Sequence, residues 1–154
     1  MRSLLGVGLF ACCFAATAGE PVKLQGMELS GGSASGTCGA AKVSVEGVSA
    51  DYIEFTGRIE VTSGKGNLVL SAEDGSFFQD WNYLACVETP MGPMLVAKAS
   101  CGGRGCNPDD FRVIDPGTAI VVSRGTPDDG CSYQCAERAL GERLPKGLRP
   151  AYAE

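Results

Sequence analysis

The chain carries eight cysteines and no histidine. Without histidine there is no Ser-His-Asp or Cys-His nucleophile and no imidazole general base. The commonest ligand for zinc and copper is missing as well. The remaining chemistry rests on thiols, carboxylates, aromatics and a few placed cations. Most conspicuous is Ser100–Asp110, "SCGGRGCNPDD". Cys101 and Cys106 bracket Gly102, Gly103, Arg104 and Gly105. A second close pair follows at Cys131 and Cys135. Neither has the Cys-x-x-Cys spacing that activates a thiolate in thiol oxidoreductases. Four thiolates from the two pairs could form a zinc site, but in an oxidising compartment they are normally consumed as disulfides.

The compartment is read from the N-terminus. Met1-Arg2-Ser3 is a short basic region, Leu4–Ala15 is apolar and uncharged, and Ala16-Thr17-Ala18 is a small-x-small cleavage pattern. This layout predicts a secretory signal over residues 1–18 and a secreted or periplasmic mature chain. Lipidation at Cys12 or Cys13 stays open as an alternative. Residues 19–154 are expected to form a single domain, long enough to bury its own core. No later apolar run reaches transmembrane length.

Signal removal leaves Cys38, Cys86, Cys101, Cys106, Cys131 and Cys135. An even number in an exported chain predicts disulfides. The favoured pairing is Cys38–Cys86, Cys101–Cys106 and Cys131–Cys135, one of fifteen. An i,i+4 pair on a regular helix stands about 6 Å apart, at the wide end for a disulfide. A swap joining Cys131 or Cys135 to Cys101 or Cys106 therefore stays a rival.

The carboxylates offer less. Glu54 and Glu60 share a strand face but stand six residues apart, about 20 Å, whereas a glycosidase pair needs roughly 5–9.5 Å. Asp109-Asp110 and Asp128-Asp129 read as turn acids that cap or solvate. "NPDDFRVID" and "PDDG" lack the alternating ligands of an EF-hand. A hydrolase with carboxylates brought together across strands remains an alternative. Expected cofactors and metals are none.

Two candidate binding features remain. In "FFQDWNYLAC", strand alternation puts Trp81 and Tyr83 on one face with Phe77, a row that could stack on sugar rings if exposed or serve as core if buried. In the glycine-rich loop, a closed disulfide ring would present Arg104, beside Gly103, with little entropy left to lose on binding. Over Met94–Asn107 the Cys-x₄-Cys spacing is similar to the loop of the Ivy-type periplasmic lysozyme inhibitors. That loop uses a histidine where "GGRG" has none, so no family is assigned.

The elements that must position these groups are strands. In "YIEFTGRIEVT" (Tyr52–Thr62), Ile53, Phe55, Gly57, Ile59 and Val61 share one face and polar residues the other, the pattern of a half-buried antiparallel strand. Similar runs cover Val22–Leu29, Ala41–Val48, Leu68–Ala72, Phe77–Val87, Met94–Ser100, Phe111–Ile114 and Ala119–Ser123, with turn signals between them. The Gly/Ser-rich segment Ser30–Ala40 reads as a linker pinned at Cys38. Cys131–Gly141 reads as a helix capped by Ser132 or Asp129 and ended by Gly141. Residues 142–154 read as an extended, proline-broken arm. The expected fold is thus all-β: an antiparallel sandwich or small barrel with a short C-terminal helix, reinforced by disulfides.

The formal net charge is −5. Gly19–Glu88 holds ten acids and four bases, while Thr89–Glu154 holds eight of each. No basic stripe points to nucleic acid. The expected activity is that of a non-catalytic module, an inhibitor or envelope-complex subunit, with a protein as partner and a glycan as the alternative.

Overall fold

The computed structural model describes residues 22–48, 57–71, 81–100, 109–126 and 130–150. Ten strands and one helix occur among them: β1 Val22–Lys23, β2 Gln25–Ser30, β3 Ser33–Cys38, β4 Ala41–Glu46, β5 Ile59–Thr62, β6 Asn67–Leu70, β7 Trp81–Thr89, β8 Gly92–Ala99, β9 Asp110–Asp115, β10 Ile120–Gly125 and α1 Ser132–Leu140. They form two five-stranded sheets, ordered β1-β7-β8-β9-β10 and β2-β3-β4-β5-β6. The fold is therefore a sandwich and not a closed barrel.

Period-two patterning builds the second sheet. In β4, Ala41, Val43 and Val45 point inward while Lys42 and Glu46 are exposed. β5 continues that inner face with Ile59 and Val61. Leu84, Leu95 and Ile114 of the first sheet close on them, with Trp81, to make one core.

β8 and β9 behave differently, because nearly every residue in their paired region is buried. The cause is a third layer. α1 lies on the outer face of the first sheet, where Ala136 and Leu140 pack with Val96, Phe111 and Val113 into a second core. A sheet covered on both faces loses the apolar–polar alternation.

Three local expectations change. The run Val22–Leu29 divides at Leu24. β1 pairs in parallel with β7, and β2 goes to the other sheet against β3. The segment Ser30–Ala40 is no linker. Gly31 and Gly32, both at positive φ, turn the chain, and Ser33–Cys38 becomes β3 between β2 and β4. Small side chains are what this position requires. A Cβ on Gly36 would stand 2.7 Å from Leu24 Cβ and 2.9 Å from the Gln25 carbonyl oxygen. The arm after α1 is also not extended over residues 142–150. Leu144 and Leu148 are buried in the second core. Glu137 Oε1 accepts the Leu144 N–H at 3.1 Å and pairs with Arg149 Nε at 3.0 Å. A turn follows, in which the N–H groups of Leu148 and Arg149 donate to the Pro145 carbonyl.

Two disulfides are present among the described residues. Cys38–Cys86 joins β3 to β7, and so one sheet to the other, with Cα atoms 5.4 Å apart. Cys131–Cys135 forms within one helical turn at 5.3 Å, which removes the swapped pairing. Cys101 and Cys106 lie outside the described residues. No helix among the described residues is long and apolar enough to cross a membrane.

Candidate functional site

The connection that carries Gly103 and Arg104 joins β8 to β9. Those two residues lie outside the described residues, but both stems of the connection are defined. β8 and β9 are antiparallel neighbours in register to their last pair, Ala99 opposite Asp110. Tyr83, Lys98 and Phe111 lie side by side on the outer face of the sheet, because Lys98 pairs with Tyr83 of β7 and with Phe111 of β9.

Lys98 is the unusual residue here. It is only 7% exposed, in a strand otherwise made of apolar side chains. A buried ammonium needs compensation. Its Nζ lies 3.2 Å from Asp109 Oδ2 and 4.7 Å from the centre of the Tyr83 ring. The ion pair ties the end of β8 to the residue just before β9. A third tie comes from the helix: Ser132 Oγ donates to the Asp109 carbonyl oxygen at 2.6 Å. The N-terminal turn of α1 can approach so closely because of Gly125 in β10. A Cβ there would collide with the Ser132 carbonyl. The strand ladder, a shielded ion pair and the helix thus hold the stem together.

The other face of the same strands holds a second buried cation. Arg112 is 4% exposed, donates from Nη1 to the Phe111 carbonyl at 2.9 Å, and lies 5.3 Å from the centre of the Trp81 ring. Asp110, fully buried and two residues earlier on the strand, points to the same side. Trp81 has no exposed surface, and its Nε1–H donates to the Ser71 carbonyl at 2.7 Å.

Trp81 and Tyr83 therefore do not form a row. Trp81 lies in the inter-sheet core and Tyr83 packs with the helix-side core. Strict alternation would put both on one face. The β7–β8 ladder instead shifts register between them: Trp81 faces Ala99 and Tyr83 faces Lys98, with Asn82 extra. A one-residue bulge reverses the facing of everything beyond it. This removes the sugar-stacking platform, since its only tryptophan is inside. Phe77 lies outside the described residues.

The acids are also dispersed. Asp109 faces Lys98 on the helix side, whereas Asp110 faces inward. Glu28 and Glu60 line a shallow groove of about 520 Å³ on the outer face of the second sheet, with Ser35, Lys42, Ser44 and Thr62. Glu60 also accepts from Asn67 and approaches Arg58 at 3.7 Å, in a solvated pair. Among the described residues, no group of three or more His, Cys, Asp or Glu could hold a metal ion.

Sequence reasoning missed Lys98, Ser132 and Arg112. Two signals were present: "MLVAKA" and "FRVI" each set one cation in an apolar strand. That is the pattern of a buried charge with a partner elsewhere in the fold. Ser132 was expected to cap α1. The N-cap is Cys131 instead, with no side-chain cap bond. Asp129 lies outside the described residues. Gly141 ends the helix in the left-handed conformation, as expected.

Comparison with family models, with curated proteins and with solved structures finds no match.

Proposed function

We propose that the chain is exported, to the periplasm or the medium, and acts as a non-catalytic module that captures a protein partner through the β8–β9 loop. Arg104 and Gly103 are its contact residues, and an inhibitor or a subunit of an envelope complex is the fitting role. The observation that carries this reading is the stem. A cation sits in an apolar strand, paired with Asp109 at 3.2 Å, and Ser132 holds the same residue from the helix. That arrangement fastens the stem of a connection that carries three glycines, two cysteines and one arginine. Binding loops gain affinity when their ordering cost is met before the encounter. The Arg104 guanidinium offers five N–H donors to partner carboxylates or carbonyls. The disulfides at Cys38–Cys86 and Cys131–Cys135 agree with an oxidising compartment.

The test begins with a pull-down by the mature chain from its own envelope or secreted fraction. Arg104→Ala should then weaken capture of the recovered partner more than about tenfold, an ordinary loss for a central arginine anchor, with the unfolding transition unchanged. Affinity equal to that of the unaltered protein refutes the reading.

A further inference from the structure

The two disulfides act on different scales. Cys38–Cys86 spans 48 residues and has one half-buried end, Cys86, and one end, Cys38, with no exposed surface. Cys131–Cys135 spans four residues and is half-buried at both ends, so a thiol can reach it. Its effect is confined to the start of α1, which lacks the usual capping interactions. The N-cap makes no side-chain bond, and the first turn contains no acid. Ser132, one of the two residues expected to cap, is engaged with Asp109 instead. A nine-residue helix without a cap is marginal at its ends. Within the helix the first turn is held by the covalent ring and by the Cys135 N–H, which donates to the Cys131 carbonyl at 2.7 Å; from outside, Ser123 Oγ of β10 donates to the Cys135 carbonyl at 3.2 Å. The same turn supplies the hydroxyl that holds the β8–β9 stem.

We infer that Cys131–Cys135 is a thiol-sensitive latch on that stem. Oxidised, it keeps Ser132 against Asp109. Reduced, it lets the first helical turn fray and release the stem. The reductant is a dithiol. One of its thiolates attacks Cys135 Sγ, the S–S bond breaks, and Cys131 leaves as a thiolate favoured by the helix N-terminus. The second thiol of the reductant then displaces Cys135 from the mixed disulfide. The reductant departs as a disulfide, and Cys131 and Cys135 keep the two electrons and two protons. Only the consequence for a partner rests on the reading of the loop as a binding element.

The experiment treats the folded mature chain with dithiothreitol, traps free thiols by alkylation, maps them by mass spectrometry and then measures amide hydrogen exchange. Cys131 and Cys135 should be alkylated while Cys38–Cys86 stays intact, and the rise in exchange at the stem should persist in a Cys101→Ser/Cys106→Ser background, where the loop's own cysteines contribute nothing. Exchange at Asp110–Arg112 should rise about fivefold, the factor that losing one ordinary hydrogen bond gives, with β4 unchanged. Ser132→Ala, with the disulfide intact, should reproduce the rise at the stem. Cys131→Ser/Cys135→Ser should do so without reductant. Three results would overturn the latch: stem exchange unmoved by reduction or by Ser132→Ala, prior loss of Cys38–Cys86, or a rise that includes β4. None of these readouts involves Arg104, so failure of the latch and failure of the binding reading are separate outcomes.

Discussion

Removing Cys38–Cys86 by changing both residues to alanine should cost about twice as much stability as removing Cys131–Cys135 in the same way. The magnitude follows from chain entropy. A cross-link restricts the unfolded chain by an amount that grows with the logarithm of the loop it closes. With separations of 48 and 4 residues, the expected losses are about 4 and about 2 kcal/mol. For a domain of this size each kcal/mol shifts Tm by roughly 3–5 °C. The first variant should therefore melt about 15 °C lower and the second about 7 °C lower. Urea unfolding and calorimetry measure both. The m-value should also rise more for the first variant, because its unfolded chain is freed over the longer loop. Geometry supports the same ranking, since Cys38–Cys86 ties β3 of one sheet to β7 of the other, whereas Cys131–Cys135 ties a helix only to its own N-cap. Equal losses, or the reverse order, would refute the entropic account and locate the stabilisation in native packing.

Three further outcomes are expected. Trp81 emission should be blue-shifted, resistant to iodide and unaffected by glycans, because the ring has no exposed surface; strong quenching would place it outside the core. Leu148→Ala should destabilise the protein by about 2–4 kcal/mol in denaturant titrations, as for other buried leucines, because the segment after α1 is part of the second core; no change would return it to a frayed arm. Asp115 has its pKa held below the ordinary 3.8 by the hydroxyl of Thr118 and the N–H of Gly117. A depressed folded-state pKa adds stability that is complete at neutral pH and is lost as pH falls below about 4 and through the folded value. Asp115→Asn should therefore flatten the acid limb of the stability–pH curve and leave its shape above pH 5 unchanged.

What could be read from the residues alone was whatever depends on local periodicity. Ala41–Glu46 and Ile59–Thr62 alternate cleanly because each covers a core on one side only. Gly141 was legible as a helix end because only glycine sits there without strain. Parity and compartment made disulfides expected, and 38–86 and 131–135 were the favoured pairs, but the structure was needed to remove the swapped pairing.

The rest was decided by contacts between distant segments. Nothing local marks the bulge at Asn82. It arises where β7 meets β8, and it turns Trp81 away from Tyr83. The segment Ser33–Cys38 has the composition of a linker, yet pairing with β2 and β4 makes it a strand, and Leu24 and Gln25 leave no room for a side chain at Gly36. Asp109 looked like a solvated turn residue and Ser132 like a cap, until the fold placed Lys98 and the first turn of α1 beside the same stem. The sequence by itself determined the alternating faces of β4 and β5 and the helix end at Gly141, because each depends on neighbours along the chain. Only the tertiary structure decided which of two buried cations supports the loop and which faces the core tryptophan, because a charge in a strand is interpretable only through the partner that compensates it.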